Sequence, residues 1–185
     1  MTASEVFGRL VEALDRAQIP YMLTGSFASS LHGTPRATQD IDLVIATSLD
    51  RLLVFVRSLP VDRYYVSEAA AVEAHRNEGM FNVLDLSTGW KVDLILRKSR
   101  PFSCEEFERR TAEDVGGVRL YVASPEDVIV AKMEWAKRGG SARQIEDAAG
   151  ILRVRGGELD RDYIERWTRE LGLEREWDDV RRTAT

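Results

Sequence analysis

Three aspartates in two apolar segments are the residues of this sequence best suited to chemistry. Asp40 and Asp42 lie in segment 39–45 (Gln-Asp-Ile-Asp-Leu-Val-Ile), and Asp93 lies in segment 90–96 (Trp-Lys-Val-Asp-Leu-Ile-Leu). Both segments otherwise have the pattern of buried β-strands, and because side chains alternate along a strand, Asp40 and Asp42 share one face. If the two strands are neighbours, the three carboxylates repel one another, and desolvation adds to the cost. A hard cation such as Mg²⁺ takes oxygen ligands, so we expect these aspartates to bind one.

A turn at Gly25 and Ser26 predicts a second chemical element, a cradle for an anion. The turn lies between a predicted strand at 21–24 and a predicted short helix at 27–31, so the N–H groups at the helix start can face an anion. Glycine lets a phosphate approach the backbone, and the Ser26 hydroxyl can donate to a phosphate oxygen. A phosphate cradle and metal-binding carboxylates are what phosphoryl or nucleotidyl transfer requires.

The elements that must position these residues predict an α/β (α+β) protein. Hydrophobic periodicity and turn residues divide the chain into short strands and amphipathic helices. The predicted strands are 21–24, 40–46, 80–86, 91–96 and 118–122, of which 80–86 and 91–96 form a hairpin. The predicted helices are 4–18, 27–31, one capped by Ser48, 67–77, 102–109, 125–137, 142–154, 160–171 and 173–181. We expect residues 1–123 to form an α/β core and residues 124–185 a helical part packed on it as one compact unit.

Composition limits the classes of protein further. The chain has 185 residues, a formal net charge of −5 and a single cysteine, Cys104, so an internal disulfide is excluded. A basic run that would indicate a nucleic-acid-binding tail is absent from the sequence. No apolar run approaches the roughly 18–20 residues that cross a bilayer, and the N-terminus lacks the pattern of a signal peptide. We therefore expect a cytoplasmic protein with no membrane partner.

The motif spacing resembles that of a known superfamily. Thirteen residues separate Ser26 from the Asp40-Ile41-Asp42 motif, and a lone strand aspartate, Asp93, follows later. This pattern resembles the nucleotidyltransferase (DNA polymerase β-like) superfamily. The stretch from 21 to 45 is similar to the minimal bacterial members, which include the abortive-infection and type IV toxin–antitoxin nucleotidyltransferases. The resemblance implies a nucleotidyltransferase-like mixed β-sheet flanked by helices, with a C-terminal helical part.

The resemblance also implies roles for individual residues. Asp40 and Asp42 would ligate Mg²⁺, and Asp93 would complete the site and help to deprotonate the acceptor hydroxyl. The resemblance further implies contacts to the nucleoside triphosphate from Gly25, Ser26, Arg36 and Lys132. Thr38 and Asp147 are additional candidates for the site.

Two of these assignments have structural alternatives. Lys132 lies in an otherwise apolar helical stripe, so its ammonium either extends to the surface or reaches a triphosphate. Asp147 either belongs to the site or forms an i,i+4 pair with Arg143 on an exposed helix face.

The implied activity is Mg²⁺-dependent transfer of a nucleoside monophosphate from a triphosphate to an acceptor hydroxyl. The acceptor could be a tRNA end, a protein side chain or a small molecule such as an aminoglycoside. The alternative is a non-catalytic nucleotide-binding or regulatory protein, one half of a pair with a partner antitoxin. A phosphohydrolase with two metals is a weaker third alternative, because it usually needs more His or Asp ligands.

Overall fold

The structure is a computed structural model that describes residues 3–38 and 40–185. Within these residues it contains nine helices and seven strands. The helices are α1 (Ala3–Arg16), α2 (Gly25–His32), α3 (Leu49–Ser58), α4 (Glu68–Asn77), α5 (Pro101–Glu108), α6 (Pro125–Gly139), α7 (Ala142–Arg155), α8 (Arg161–Leu171) and α9 (Glu174–Ala184). The strands are β1 (Tyr21–Thr24), β2 (Asp40–Ile45), β3 (Tyr64–Val66), β4 (Met80–Asp85), β5 (Lys91–Leu96), β6 (Thr111–Val115) and β7 (Val118–Val122). The α/β class with a mixed sheet is therefore confirmed.

The seven strands form one sheet in the order β3-β4-β5-β2-β1-β7-β6. The pairs β2–β5 and β1–β7 are parallel, whereas β3–β4, β4–β5 and β6–β7 are antiparallel. The predicted hairpin of β4 and β5 is confirmed. One face of β2 and β5 carries only apolar side chains, and these are fully buried or nearly so: Ile41, Leu43, Ile45, Val92, Leu94 and Leu96. Alternation then places the polar residues of both strands on the opposite face.

The chain divides into two compact units. The sheet unit holds the described residues of 1–23 and 39–122, and the helical unit holds residues 24–38 and 123–185. Segment 24–38 belongs with the C-terminal helices because α2 packs against α6 and α7. The sequence boundary between 123 and 124 stays a prediction.

The backbones of α2 and α7 approach each other closely in the helical unit. A Cβ atom at Gly33 would lie 2.7 Å from the nitrogen of Ile151 and 2.8 Å from the carbonyl carbon of Gly150, distances at which no side chain fits. Glycine is therefore needed where the end of α2 meets α7.

A buried polar network joins the start of α6 to α8. Ser124 caps α6 by accepting from the N–H of Asp127, and its hydroxyl donates to the Asp127 carboxylate at 2.6 Å. The hydroxyl of Tyr163 donates to the other carboxylate oxygen of Asp127 at 2.5 Å. Asp127 is fully buried, so these bonds replace hydrogen bonds to water that its carboxyl oxygens have lost.

The sequence prediction missed two strands. β3 has only three residues, and β6 carries the exposed acidic pair Glu113 and Asp114, so neither has a clear alternating pattern. Each lies at an edge of the sheet and is a strand because it pairs with its neighbour, β4 or β7. No helix of the described residues is both long and apolar enough to cross a membrane.

Candidate functional site

The three predicted aspartates lie on one face of the sheet unit. In the parallel pair β2–β5, Asp42 is directly opposite Asp93, and Asp40 is opposite Lys91. Opposed residues of paired strands point to the same side of a sheet, and so do residues two apart on one strand. Asp40, Asp42 and Asp93 therefore share the polar face of these two strands. We call this group the carboxylate face.

Lys91 and Asn82 complete the carboxylate face. The Lys91 ammonium lies 3.1 Å from Oδ2 of Asp93 and 3.4 Å from Oδ1 of Asp40. The amide of Asn82, which is opposite Asp93 on β4, donates to the other oxygen of Asp93. The Asp93 side chain is only 9% exposed, compared with 59% for Asp40. The most buried carboxylate of the three thus accepts from two side-chain donors.

The sequence reasoning missed both donors. Lys91 lies two residues before Asp93, so strand alternation alone already placed it on the same face. Asn82 could not be found in this way, because its position depends on the register between β4 and β5. The hydrogen bond to Asp93 raises the pKa of Lys91 above its ordinary value, against the opposing effect of burial, so the ammonium stays charged.

The donor atoms of the carboxylate face suit Mg²⁺ in chemical type. Carboxylate oxygens are its preferred protein ligands, and three aspartate carboxylates share this face. Within residues 3–38 and 40–185, however, no three His, Cys, Asp or Glu side chains are close enough together to hold a metal ion. The Lys91 ammonium lies against two of the carboxylates instead. These residues would hold a divalent ion if the ammonium withdrew and the carboxylates converged.

One further strand aspartate, Asp85, does not belong to this face. Alternation along β4 turns Asp85 to the core side, where it is 1% exposed and accepts a bond of 2.8 Å from Arg9 of α1. Burial alone would raise the pKa of Asp85, but the bonds from Ser87 and Arg9 outweigh it and the pKa lies below its ordinary value. Asp85 is therefore a structural anchor between α1 and the sheet.

A second polar group lies in the helical unit. Arg36 donates from Nε and Nη2 to the two oxygens of Asp147 at 3.0 and 3.1 Å, and Lys132 donates to Oδ2 of Asp147 at 2.7 Å. Arg36 also donates to the hydroxyl of Ser26. We call these four residues the cation cluster. Two cations and one carboxylate leave it with an excess of positive charge.

Burial argues against a surface position for Lys132 and for Asp147. The Lys132 side chain is 5% exposed and that of Asp147 is 7% exposed. Lys132 therefore ends at a buried carboxylate and not at the surface. Asp147 is buried as well, whereas a pair with Arg143 on a solvated face would require an exposed position.

The turn at the start of α2 belongs to the same unit. Gly25 has a φ of 64°, in the left-handed region that favours glycine, and the helix begins directly at this residue. The capping position is Thr24, and its side chain makes no hydrogen bond to the first N–H groups of α2. Thr38 is half-buried in the segment that leads toward β2.

The predicted site residues thus fall into two groups. Asp40, Asp42 and Asp93 come together in the sheet unit, and Ser26, Arg36, Lys132 and Asp147 come together in the helical unit. Their roles in metal and nucleotide binding stay predictions.

No protein-family model and no curated protein matches the chain. Several solved structures are similar to it. The crystal structure of ANT(2'')-Ia in complex with adenylyl-2''-tobramycin is 17% identical, with a TM-score of 0.61 over 96% of this chain and 99% of that one. The lincosamide antibiotic adenylyltransferase LnuA, with lincomycin bound, is 10% identical, with a TM-score of 0.54 over 82% and 96%. An antigenic nucleotidyltransferase-like protein from Paracoccidioides brasiliensis is 17% identical, with a TM-score of 0.53 over 93% and 89%. The sequence of this chain therefore adopts the nucleotidyltransferase fold.

Proposed function

We propose that this chain is an enzyme that transfers a nucleoside monophosphate from a nucleoside triphosphate to an acceptor hydroxyl, with Mg²⁺ as its cofactor. The observation that carries this proposal is the position of Asp42 directly opposite Asp93, beside Asp40, in a chain with the nucleotidyltransferase fold. Aspartate is disfavoured in strands, so three on one face need a cause other than packing.

The carboxylate face would perform the chemical step. Asp40, Asp42 and Asp93 would hold Mg²⁺, which when bound neutralises charge on the phosphate oxygens. The acceptor oxygen forms a bond to the α-phosphorus, the bond to the β-phosphate oxygen breaks, and pyrophosphate leaves. A carboxylate oxygen of Asp93 takes the hydroxyl proton. Asn82 fixes the orientation of that carboxylate and leaves lone pairs on both oxygens for the metal and the proton.

The cation cluster and the start of α2 would hold the triphosphate. Gly25 lets the phosphate approach the N–H groups at the start of the helix, where anions are favoured. Arg36 and Lys132 supply the positive charge, and Ser26 a hydroxyl. Thr38 is an additional candidate in the same unit. Asp147 holds both cations in place before the nucleotide arrives.

Small hydroxyl compounds are the acceptors that the comparisons favour. Of the similar structures, ANT(2'')-Ia holds an adenylylated tobramycin, and LnuA is an adenylyltransferase with lincomycin bound. We therefore favour ATP as the donor and a small molecule over RNA or protein as the acceptor, in keeping with a net charge of −5. Membership of the toxin–antitoxin branch, a tRNA acceptor and a partner antitoxin stay hypotheses.

The test is transfer of label from each α-labelled nucleoside triphosphate, with Mg²⁺, to a panel of aminoglycosides, lincosamides, tRNA and protein. We expect labelled product on at least one small molecule, and a loss of roughly 10²-fold or more in Asp42→Asn and Asp93→Asn. Asp114→Asn is the matched control, because Asp114 is an exposed strand aspartate on β6 that accepts from the Gly117 N–H.

Two outcomes would contradict the proposal. One is transfer that persists in both Asp42→Asn and Asp93→Asn proteins with unchanged melting temperatures. The other is tight binding of ATP and Mg²⁺ by calorimetry without turnover on any acceptor, which would favour the non-catalytic regulator.

A further inference from the structure

Lys91 has a position within the carboxylate face that the proposed reaction does not explain. Its ammonium bridges Asp93 and Asp40, at 3.1 and 3.4 Å, although these residues lie on different strands. It is opposite Asp40 by register and two residues from Asp93 along β5, so the backbone of both strands directs it there. The bridge is therefore a consequence of the sheet and not a chance contact between long surface side chains.

The charge on this face explains what the ammonium does. Three carboxylates on two adjacent strands repel one another, and Asp93 has little water to screen it. A single positive charge between two of them offsets part of that repulsion. A divalent ion would meet the same need with twice the charge and would compete for the same oxygens.

The side chain of Lys91 is also free to leave. It is 43% exposed, whereas Lys132 in the cation cluster is 5% exposed and cannot move without repacking. Lysine carries its charge on a flexible four-carbon stem, so the ammonium can swing into solvent while the strand stays in place.

We infer that Lys91 is a built-in counter-ion that replaces the divalent cation on the carboxylate face of the metal-free protein and is displaced when the metal binds. This inference rests on the proposed function, because it concerns the same metal site. Lys91 is a positioning residue in this scheme. It offsets part of the repulsion between the carboxylates before the metal arrives, and it lowers metal affinity because each binding event must break its two ion pairs.

The test is calorimetric titration of the full chain with Mn²⁺, without nucleotide. Lys91→Met removes the charge and keeps a side chain of similar length, and we expect it to bind Mn²⁺ roughly tenfold more tightly than the wild type. Lys91→Arg keeps the charge and should bind Mn²⁺ like the wild type. Lys137→Met, an exposed lysine of α6, is the control for the change in net charge.

Thermal unfolding supplies a second measurement. In EDTA the Lys91→Met protein should melt lower than the wild type, by roughly 2–4 °C, since its carboxylates have lost their counter-ion. Saturating Mn²⁺ should raise the melting temperature of Lys91→Met by more degrees than it raises that of the wild type. A variant that was merely damaged would bind metal more weakly, so only a gain in affinity supports the inference.

Equal or weaker Mn²⁺ binding in Lys91→Met would overturn it, and Lys91→Gln serves if the methionine variant does not fold. If Lys91→Met gains nothing while the wild type transfers nucleotide, this inference alone fails. If Lys91→Met gains affinity but no acceptor is labelled, the proposed function alone fails. If neither the wild type nor any variant binds Mn²⁺, both fail.

Discussion

Replacing Asp147 with asparagine tests the electrostatics of the cation cluster most directly. The substitution keeps the shape of the side chain but removes the negative charge that Arg36 and Lys132 share. The Lys132 side chain is only 5% exposed to water, whereas that of Arg36, at 29%, can be partly hydrated. The loss of stability therefore comes mainly from Lys132, which would be left as a buried charge with a neutral amide as its neighbour.

The size of the effect follows from that burial. Removing one partner of a buried ion pair costs about 3–5 kcal/mol, and the partial hydration of Arg36 puts this case near the lower end. We expect Asp147→Asn to lower the free energy of unfolding by about 3 kcal/mol. The double variant Asp147→Asn, Lys132→Met removes the stranded charge as well, so it should be more stable than the single variant.

The effect should also depend on pH. Burial acts to raise the pKa of Asp147, but the hydrogen bonds from Arg36 and Lys132 outweigh it, so the pKa lies below its ordinary value. A carboxyl whose pKa is lowered by folding stabilises the protein above its unfolded pKa of about 3.9, and this stabilisation is lost as the pH falls through the lower folded value. The difference in free energy of unfolding between the wild type and Asp147→Asn should thus have its full size near pH 7 and become smaller below about pH 4.

Urea unfolding followed by tryptophan fluorescence measures these differences, because Trp135, Trp167 and Trp177 all lie in the helical unit. Asp178→Asn on α9 is the matched control. Asp178 is 65% exposed and pairs with Arg181 at the surface, so its loss should cost less than about 1 kcal/mol. The reasoning is refuted if Asp147→Asn costs no more than this control, or if the double variant is less stable than the single one.

Two further predictions concern packing in the helical unit, each measured by the same urea unfolding. Gly33→Ala should cost about 1–3 kcal/mol, because its Cβ would meet the backbone of α7 at 2.7 Å, whereas Gly139→Ala, with no atom within 4 Å, should be close to neutral. Equal stability of these two variants would contradict the close approach of α2 and α7. Tyr163→Phe should cost about 1–3 kcal/mol by leaving an oxygen of buried Asp127 without its hydroxyl donor, whereas the exposed Tyr65→Phe should cost less than about 0.5 kcal/mol. A Tyr163→Phe protein as stable as the Tyr65→Phe control would argue against the network.

Much of the local structure could be predicted from the sequence. Ser48 caps α3 as the sequence predicts, and the pattern of 80–96 predicts the hairpin of β4 and β5. These features depend on residues close to one another in the chain. The edge strands β3 and β6 were missed because they depend on a partner strand and not on their own composition.

The sequence by itself determined which side chains could do chemistry and to which side of its own strand each aspartate points, because alternation is a property of a single strand. Only the tertiary structure decided that Asp42 faces Asp93, since the register of β2 and β5 depends on pairing between distant segments. The same holds for Arg36 and Asp147, which lie 111 residues apart and meet only because α2 packs on α7. Contacts of this range arise from the burial of shared apolar surface, which a local pattern does not specify.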